Sequence, residues 1–95
     1  MENVFYVYLL KNPKSGALYY GFSSNLRQRF EQHQKMPKHA GWTLVYYEAY
    51  SNEQDARDRE RQLKQYGAAR GHLKKRITRS LPRDRKVLGD GVPFA

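Results

Sequence analysis

The run Val4-Phe5-Tyr6-Val7-Tyr8-Leu9-Leu10 carries no charged side chain. Its β-branched and aromatic residues, and its shortness, mark it as a strand buried on both faces. Such a strand must be covered above and below, and a chain of 95 residues has few elements with which to do so. One modest core between layers of secondary structure is therefore expected.

The neighbouring segments supply the layers. Asn12-Pro13-Lys14-Ser15-Gly16 is a turn cluster, and Ala17 to Phe22 reads as a second strand, closing a hairpin. Asn25 as N-cap and Gln28 as its capping-box partner open an amphipathic helix over 25–35, with Leu26, Phe30 and His33 on one face. Met36 to Gly41 is a basic loop, and Trp42 to Tyr50 reads as a third strand. Ser51, with Gln54, is expected to cap a second helix that runs to about Tyr66 and stops at Gly67. Residues 68–80 suggest a third, basic helix. The order is ββαβα(α), an α/β (α+β) sandwich with a small three-stranded antiparallel sheet flanked by helices. One domain is expected over residues 1–80, and 81–95 has the composition of a basic tail.

Charge narrows the partners. Lys and Arg total 18 against 9 Asp and Glu, a net charge of +9, which favours polyanions and above all nucleic acid. The absence of cysteine excludes disulfides, thiolate metal sites and cysteine nucleophiles, and fits a reducing cytoplasm. The first residues lack the form of a signal peptide, and no apolar run approaches the ~20 residues of a membrane span. A soluble, intracellular protein without membrane contact is expected.

Within the second helix one charge is out of place. Ala56, Glu60 and Leu63 share a face by their i, i+4, i+7 spacing, so Glu60 lies on the stripe that should meet the protein. A carboxylate there needs a partner, either Lys64 in an i, i+4 salt bridge or a cation. Arg29 and His33, four apart on the first helix, are an ordinary helix face or a phosphate-binding and proton-handling pair. The 8 tyrosines include Tyr8 and Tyr19, which a hairpin brings onto neighbouring strands. Strand tyrosines are mostly packing residues. Whether these two share a face depends on register, which the sequence leaves open. No phosphate-binding glycine loop and no HExxH zinc motif is present.

Taken in order, these segments resemble the GIY-YIG nuclease superfamily, and most of all its small single-domain UvrC-like branch. Val7-Tyr8-Leu9 falls at the first motif and Tyr19-Tyr20-Gly21 at the second, with Gly21 as the motif glycine. Asn25 to His33 is similar to the family's Arg-and-His helix, Trp42 to Glu48 to its third strand, and Ala56 to Lys64 to the helix bearing its metal-binding Glu. The likeness spans about residues 3 to 78. It departs from the family pattern at Tyr6 in place of the first glycine and at Phe22 after the second motif. Tyr20 replaces an aliphatic residue, which leaves open whether Tyr19 or Tyr20 is the motif tyrosine.

The resemblance implies a metal-dependent DNA endonuclease, in a structure-specific or DNA-repair setting, using one Mg²⁺ or Mn²⁺. It implies Glu60 as metal ligand, Tyr8 as general base or its neighbour, and Tyr19 on the scissile phosphate or on a water of the cation. Arg29 would stabilise charge on the phosphate, and His33 would bond or relay protons beside the tyrosines. The implied partner is DNA, with branched, flapped or damaged duplexes as candidates.

Basic residues extend the expected DNA surface. Arg70, Lys74, Lys75, Arg76, Arg79, Arg83, Arg85 and Lys86 oppose Asp84 alone between residues 70 and 86. Arg27, Lys35, Lys38, His39 and Lys64 are placed to join them near the cleft. Each is also readable as a solvated basic face. The competing function is a non-catalytic nucleic-acid-binding module on the same scaffold.

Overall fold

A computed structural model describes residues 3–81. The tail expected over 81–95, with Arg83, Arg85 and Lys86, lies outside the described residues beyond Leu81.

Three strands and three helices follow in the order β1 (Phe5–Lys11), β2 (Leu18–Ser23), α1 (Leu26–Lys35), β3 (Thr43–Tyr50), α2 (Glu53–Gln65) and α3 (Gly67–Arg76). The sheet is antiparallel throughout, in the order β2-β1-β3, so the apolar β1 is the central strand. The expected α+β sandwich is what the chain forms. Among the described residues, no helix is long and apolar enough to cross a membrane.

The alternation of β1 divides the core. Val7 and Leu9 point to one face and meet Ala56 and Leu63 of α2, Leu73 of α3, and Ile77. Tyr8 and Leu10, equally buried, point to the other. There Tyr8 meets His33 of α1, so helices cover both faces. Opposite the Leu9–Leu10 step the β3 register slips by one residue, a bulge that leaves Val45 unmatched.

Local chemistry sets the element ends. Asn25 caps α1 by accepting from the Gln28 backbone N–H at 3.1 Å, as expected, but its own N–H donates to Ser23 Oγ at 2.9 Å and not to the Gln28 side chain, so the capping box is not closed. The cap of α2 is Asn52, accepting from Asp55 N–H at 3.0 Å, one residue beyond the expected Ser51. Both residue types cap well, and the sequence does not choose between neighbours. Gly67 is not the expected left-handed stop; it opens α3 directly after the extended Tyr66. Positive φ occurs only at Gly16 and Gly41 among the described glycines, both in loops. The third helix ends at Arg76, short of the expected residue 80, and turns follow it.

On the α2/α3 face, Glu48 of β3 accepts hydrogen bonds from Tyr46 and Tyr50 hydroxyls and from Arg59 of α2. Burial pushes the Glu48 carboxyl up, but these donors outweigh it and hold the group below its ordinary value. The cluster fastens β3 to α2, and neither Glu48 nor Arg59 was expected in that role. The signal was Tyr46-x-Glu48-x-Tyr50, three polar-tipped residues on one side of a strand.

Candidate active site

Pairing between β1 and β2 settles the tyrosines. Tyr8 stands opposite Gly21, and Leu10 opposite Tyr19, so Tyr8 and Tyr19 are diagonal neighbours on one face. Their ring centroids lie 6.3 Å apart. Tyr20 pairs with Leu9 and joins the core on the other face, where its buried hydroxyl finds no partner among the described residues. Tyr19 is therefore the tyrosine beside Tyr8. Gly21 leaves the space that the Tyr8 ring occupies, because a Cβ there would overlap the ring at Cζ and the hydroxyl.

The helix above presents His33, buried despite its polarity. Its Nε2 bonds the Tyr8 hydroxyl at 2.7 Å. Burial lowers the His33 pKa, and the nearby His39 and Arg29 lower it further, which favours the neutral ring. Burial pushes Tyr8 the other way, far above the usual phenol value; Tyr19 adds to the rise, the Arg29 cation opposes it, and Glu60 contributes to it. Those effects on Tyr8 place Tyr19, Arg29 and Glu60 in electrostatic reach of its phenol.

From α2 come Glu60 and Lys64. Since β2 is an edge strand, side chains of α2 can reach around it to the tyrosine face. Lys64 Nζ stands 5.7 Å from the Tyr19 ring centre and 3.0 Å from the Glu60 carboxylate, whose side chain is 21% exposed. The i, i+4 salt bridge and the approach to Tyr8 thus coexist. A polar cleft is lined by Ser24, Gln28, Arg29, Gln32 and Arg57, and Arg29 links it to Tyr8. Arg57 lies over the Phe22 ring, 4.2 Å from its centre, and donates to Glu53.

The other basic residues separate into groups. Lys35, Lys38, Lys74, Lys75, Arg76 and Arg79 are exposed. Arg27 is exposed on a groove with Tyr6, Phe30 and Tyr47. Arg70 is drawn into the fold, donating to the Leu63 and Lys64 carbonyls at 2.9 and 3.0 Å, which satisfies the end of α2. His39, expected on an outward loop surface, is only 6% exposed and sits against Tyr19, His33 and Trp42. A loop histidine carries no periodic signal, so its inward position was not readable.

Among the described residues, no group of three or more His, Cys, Asp and Glu is gathered to hold a metal. The oxygen donors near Tyr8 are one carboxylate, Glu60, and phenol oxygens, while the His33 imidazole nitrogen is taken up by the Tyr8 hydroxyl. That hard, sparse set fits a Mg²⁺-like cation, which keeps several waters and takes one or two carboxylates together with substrate phosphate.

A small antiparallel sheet carrying paired tyrosines, faced by an Arg-and-His helix and a Glu-bearing helix, is the layout that the resemblance to GIY-YIG nucleases implies. The GIY-YIG catalytic domain matches residues 4–76, and the chain belongs to the GIY-YIG family. GIY-YIG domains are typically nucleases that act on DNA and generally use divalent metals. The chain is also similar to the "UPF0213 protein in ldhD 5'region" of Pediococcus acidilactici, at 36% identity over 67 residues, covering 62% of this chain and 67% of that protein. No solved structure gives a significant match to the chain.

Proposed function

We propose that the protein is a divalent-metal-dependent DNA endonuclease that hydrolyses phosphodiester bonds beside Tyr8. The observation that carries this reading is the buried Tyr8 hydroxyl, bonded to His33 at 2.7 Å within reach of Tyr19, Arg29 and Glu60. A binding module has no need of a phenol–imidazole pair beside a lone carboxylate.

The roles follow from the chemistry. Tyr8 is a neutral phenol at pH 7, since its pKa lies above the ordinary ~10. It can take a proton from an attacking water only as it gives its own away, and His33 Nε2 is the acceptor in contact. Arg29 offers a planar, permanently charged fork to the phosphate oxygens. Tyr19 presents a second hydroxyl to the same phosphate. Glu60 would hold the Mg²⁺ or Mn²⁺, which supplies Lewis-acid stabilisation of charge on phosphate when bound. With Glu60 so engaged, Lys64 would be free to meet the DNA backbone.

Exposed Arg27, Lys35, Lys38, Lys74, Lys75 and Arg76 supply the sequence-independent part of DNA affinity. Branched, flapped or damaged DNA, a role in repair and a cytoplasmic setting belong to the same proposal. The competing binding-module reading is favoured by the intact Glu60–Lys64 bridge. Incubation with supercoiled plasmid, linear duplex, flap and junction substrates, each with Mg²⁺ and with Mn²⁺, decides between them. Metal-dependent nicking supports the enzyme; binding without cleavage of any substrate supports the module.

A further inference from the structure

His39 has a bond that the proposed chemistry leaves unexplained. Its Nδ1 lies 3.0 Å from Nδ1 of His33, with both rings buried. Two facing Nδ1 atoms share a hydrogen bond only if one carries a proton and the other a lone pair. With Tyr8 on His33 Nε2, neutral rings allow two arrangements. In one, Tyr8 donates to Nε2, and the His33 Nδ1–H donates to His39. In the other, every donor and acceptor is reversed, and His33 Nε2–H points its proton at Tyr8. Only the first leaves His33 able to receive the Tyr8 proton.

The loop that carries His39 is folded back onto α1. Gln34 of α1 donates to the Trp42 carbonyl at 2.8 Å and accepts from Gly41 N–H at 3.2 Å. Backbone bonds from His39 N–H to the Met36 carbonyl and from Trp42 N–H to the His39 carbonyl tighten it. Trp42 meets the His39 ring edge to face, with 4.7 Å between centroids. The imidazole is thus held in one orientation, as a group that orients a catalytic base must be.

We propose that His39 is a positioning residue whose Nδ1 accepts from His33 Nδ1–H, fixing the His33 tautomer that takes the Tyr8 proton. The inference rests on the endonuclease reading of Tyr8. The water O–H breaks and its proton goes to Tyr8 oxygen, while the Tyr8 proton passes to His33 Nε2. The new O–P bond forms, the old one breaks, and the leaving oxygen takes a proton from solvent. The His33 imidazolium donates to neutral His39 until it returns its proton to solvent.

Imidazole ¹⁵N NMR on the 95-residue protein reads the tautomers without needing turnover. Wild type is expected to show His33 protonated on Nδ1 and His39 on Nε2. His39→Phe removes the acceptor while keeping a ring; His33 should move to the Nε2–H form, and kcat should fall roughly 10- to 1000-fold with KM and DNA affinity unchanged. His39→Asn, whose amide oxygen can accept, should recover part of the rate. His33 protonated on Nε2 in wild type would overturn the proposal, as would a His39→Phe protein with unchanged tautomer and rate. If His39→Phe does not fold, the wild-type tautomers and His39→Asn still decide. A wild-type protein with the expected tautomers that cuts no DNA would instead defeat the endonuclease reading.

Discussion

The ring of Tyr8 occupies the space that a side chain on Gly21 would fill, directly across the β1–β2 ladder. Gly21 has no positive φ, so the requirement is for room and not for an unusual backbone. Gly21→Ala should force the Tyr8 ring away from His33. A stability loss of about 1–3 kcal/mol is expected from overpacking, with a larger proportional loss of nicking. Urea denaturation alongside plasmid nicking checks this; an unchanged nicking rate would mean that the Tyr8 position is unimportant.

The two adjacent tyrosines of β2 should respond in opposite ways. Tyr20→Phe removes a buried hydroxyl that has no partner among the described residues, so stability should hold or rise by up to about 1 kcal/mol, with nicking unchanged. Tyr19→Phe should leave the fold intact and slow nicking by at least roughly tenfold, if its hydroxyl serves the phosphate. Thermal melts and single-turnover cleavage of both variants test the assignment.

Tyr8→Phe keeps the ring and removes the proton carrier. The cost in stability should stay near 1 kcal/mol, the net worth of one hydrogen bond. Cleavage should fall by roughly 10²- to 10⁴-fold, the usual contribution of a general base. Equal losses in binding and cleavage would point to a packing role instead.

Acid should loosen β3 from α2. The folded Glu48 carboxyl titrates below its ordinary 4.5, so its stabilisation is complete above that value and is lost as pH falls through the lower folded value. Urea midpoints measured from pH 6 downward should therefore decline more steeply in wild type than in Glu48→Gln. Parallel curves would show that the Arg59, Tyr46 and Tyr50 bonds contribute nothing pH-dependent.

The legible parts of the sequence were those with a period. The central strand, the hairpin and the Ala56–Glu60–Leu63 face follow from spacing alone, and the fold formed as expected. Site geometry depended on register, which puts Tyr19 and not Tyr20 beside Tyr8. No local pattern encodes that choice, because both residues are tyrosine. His39 was hidden for a different reason: its position comes from a loop pinned by Gln34, and tertiary contacts alone turn it inward. By sequence Arg70 is one more surface cation, yet its donors complete α2, a use that composition cannot show.

Glu60 tests the central claim most directly. Plasmid nicking and DNA binding should be measured together for wild type and Glu60→Ala in Mg²⁺ and in Mn²⁺. The expected result is metal-dependent nicking by wild type, abolished in Glu60→Ala while DNA affinity is kept. Nicking that survives the loss of Glu60 would contradict its assignment as the metal ligand.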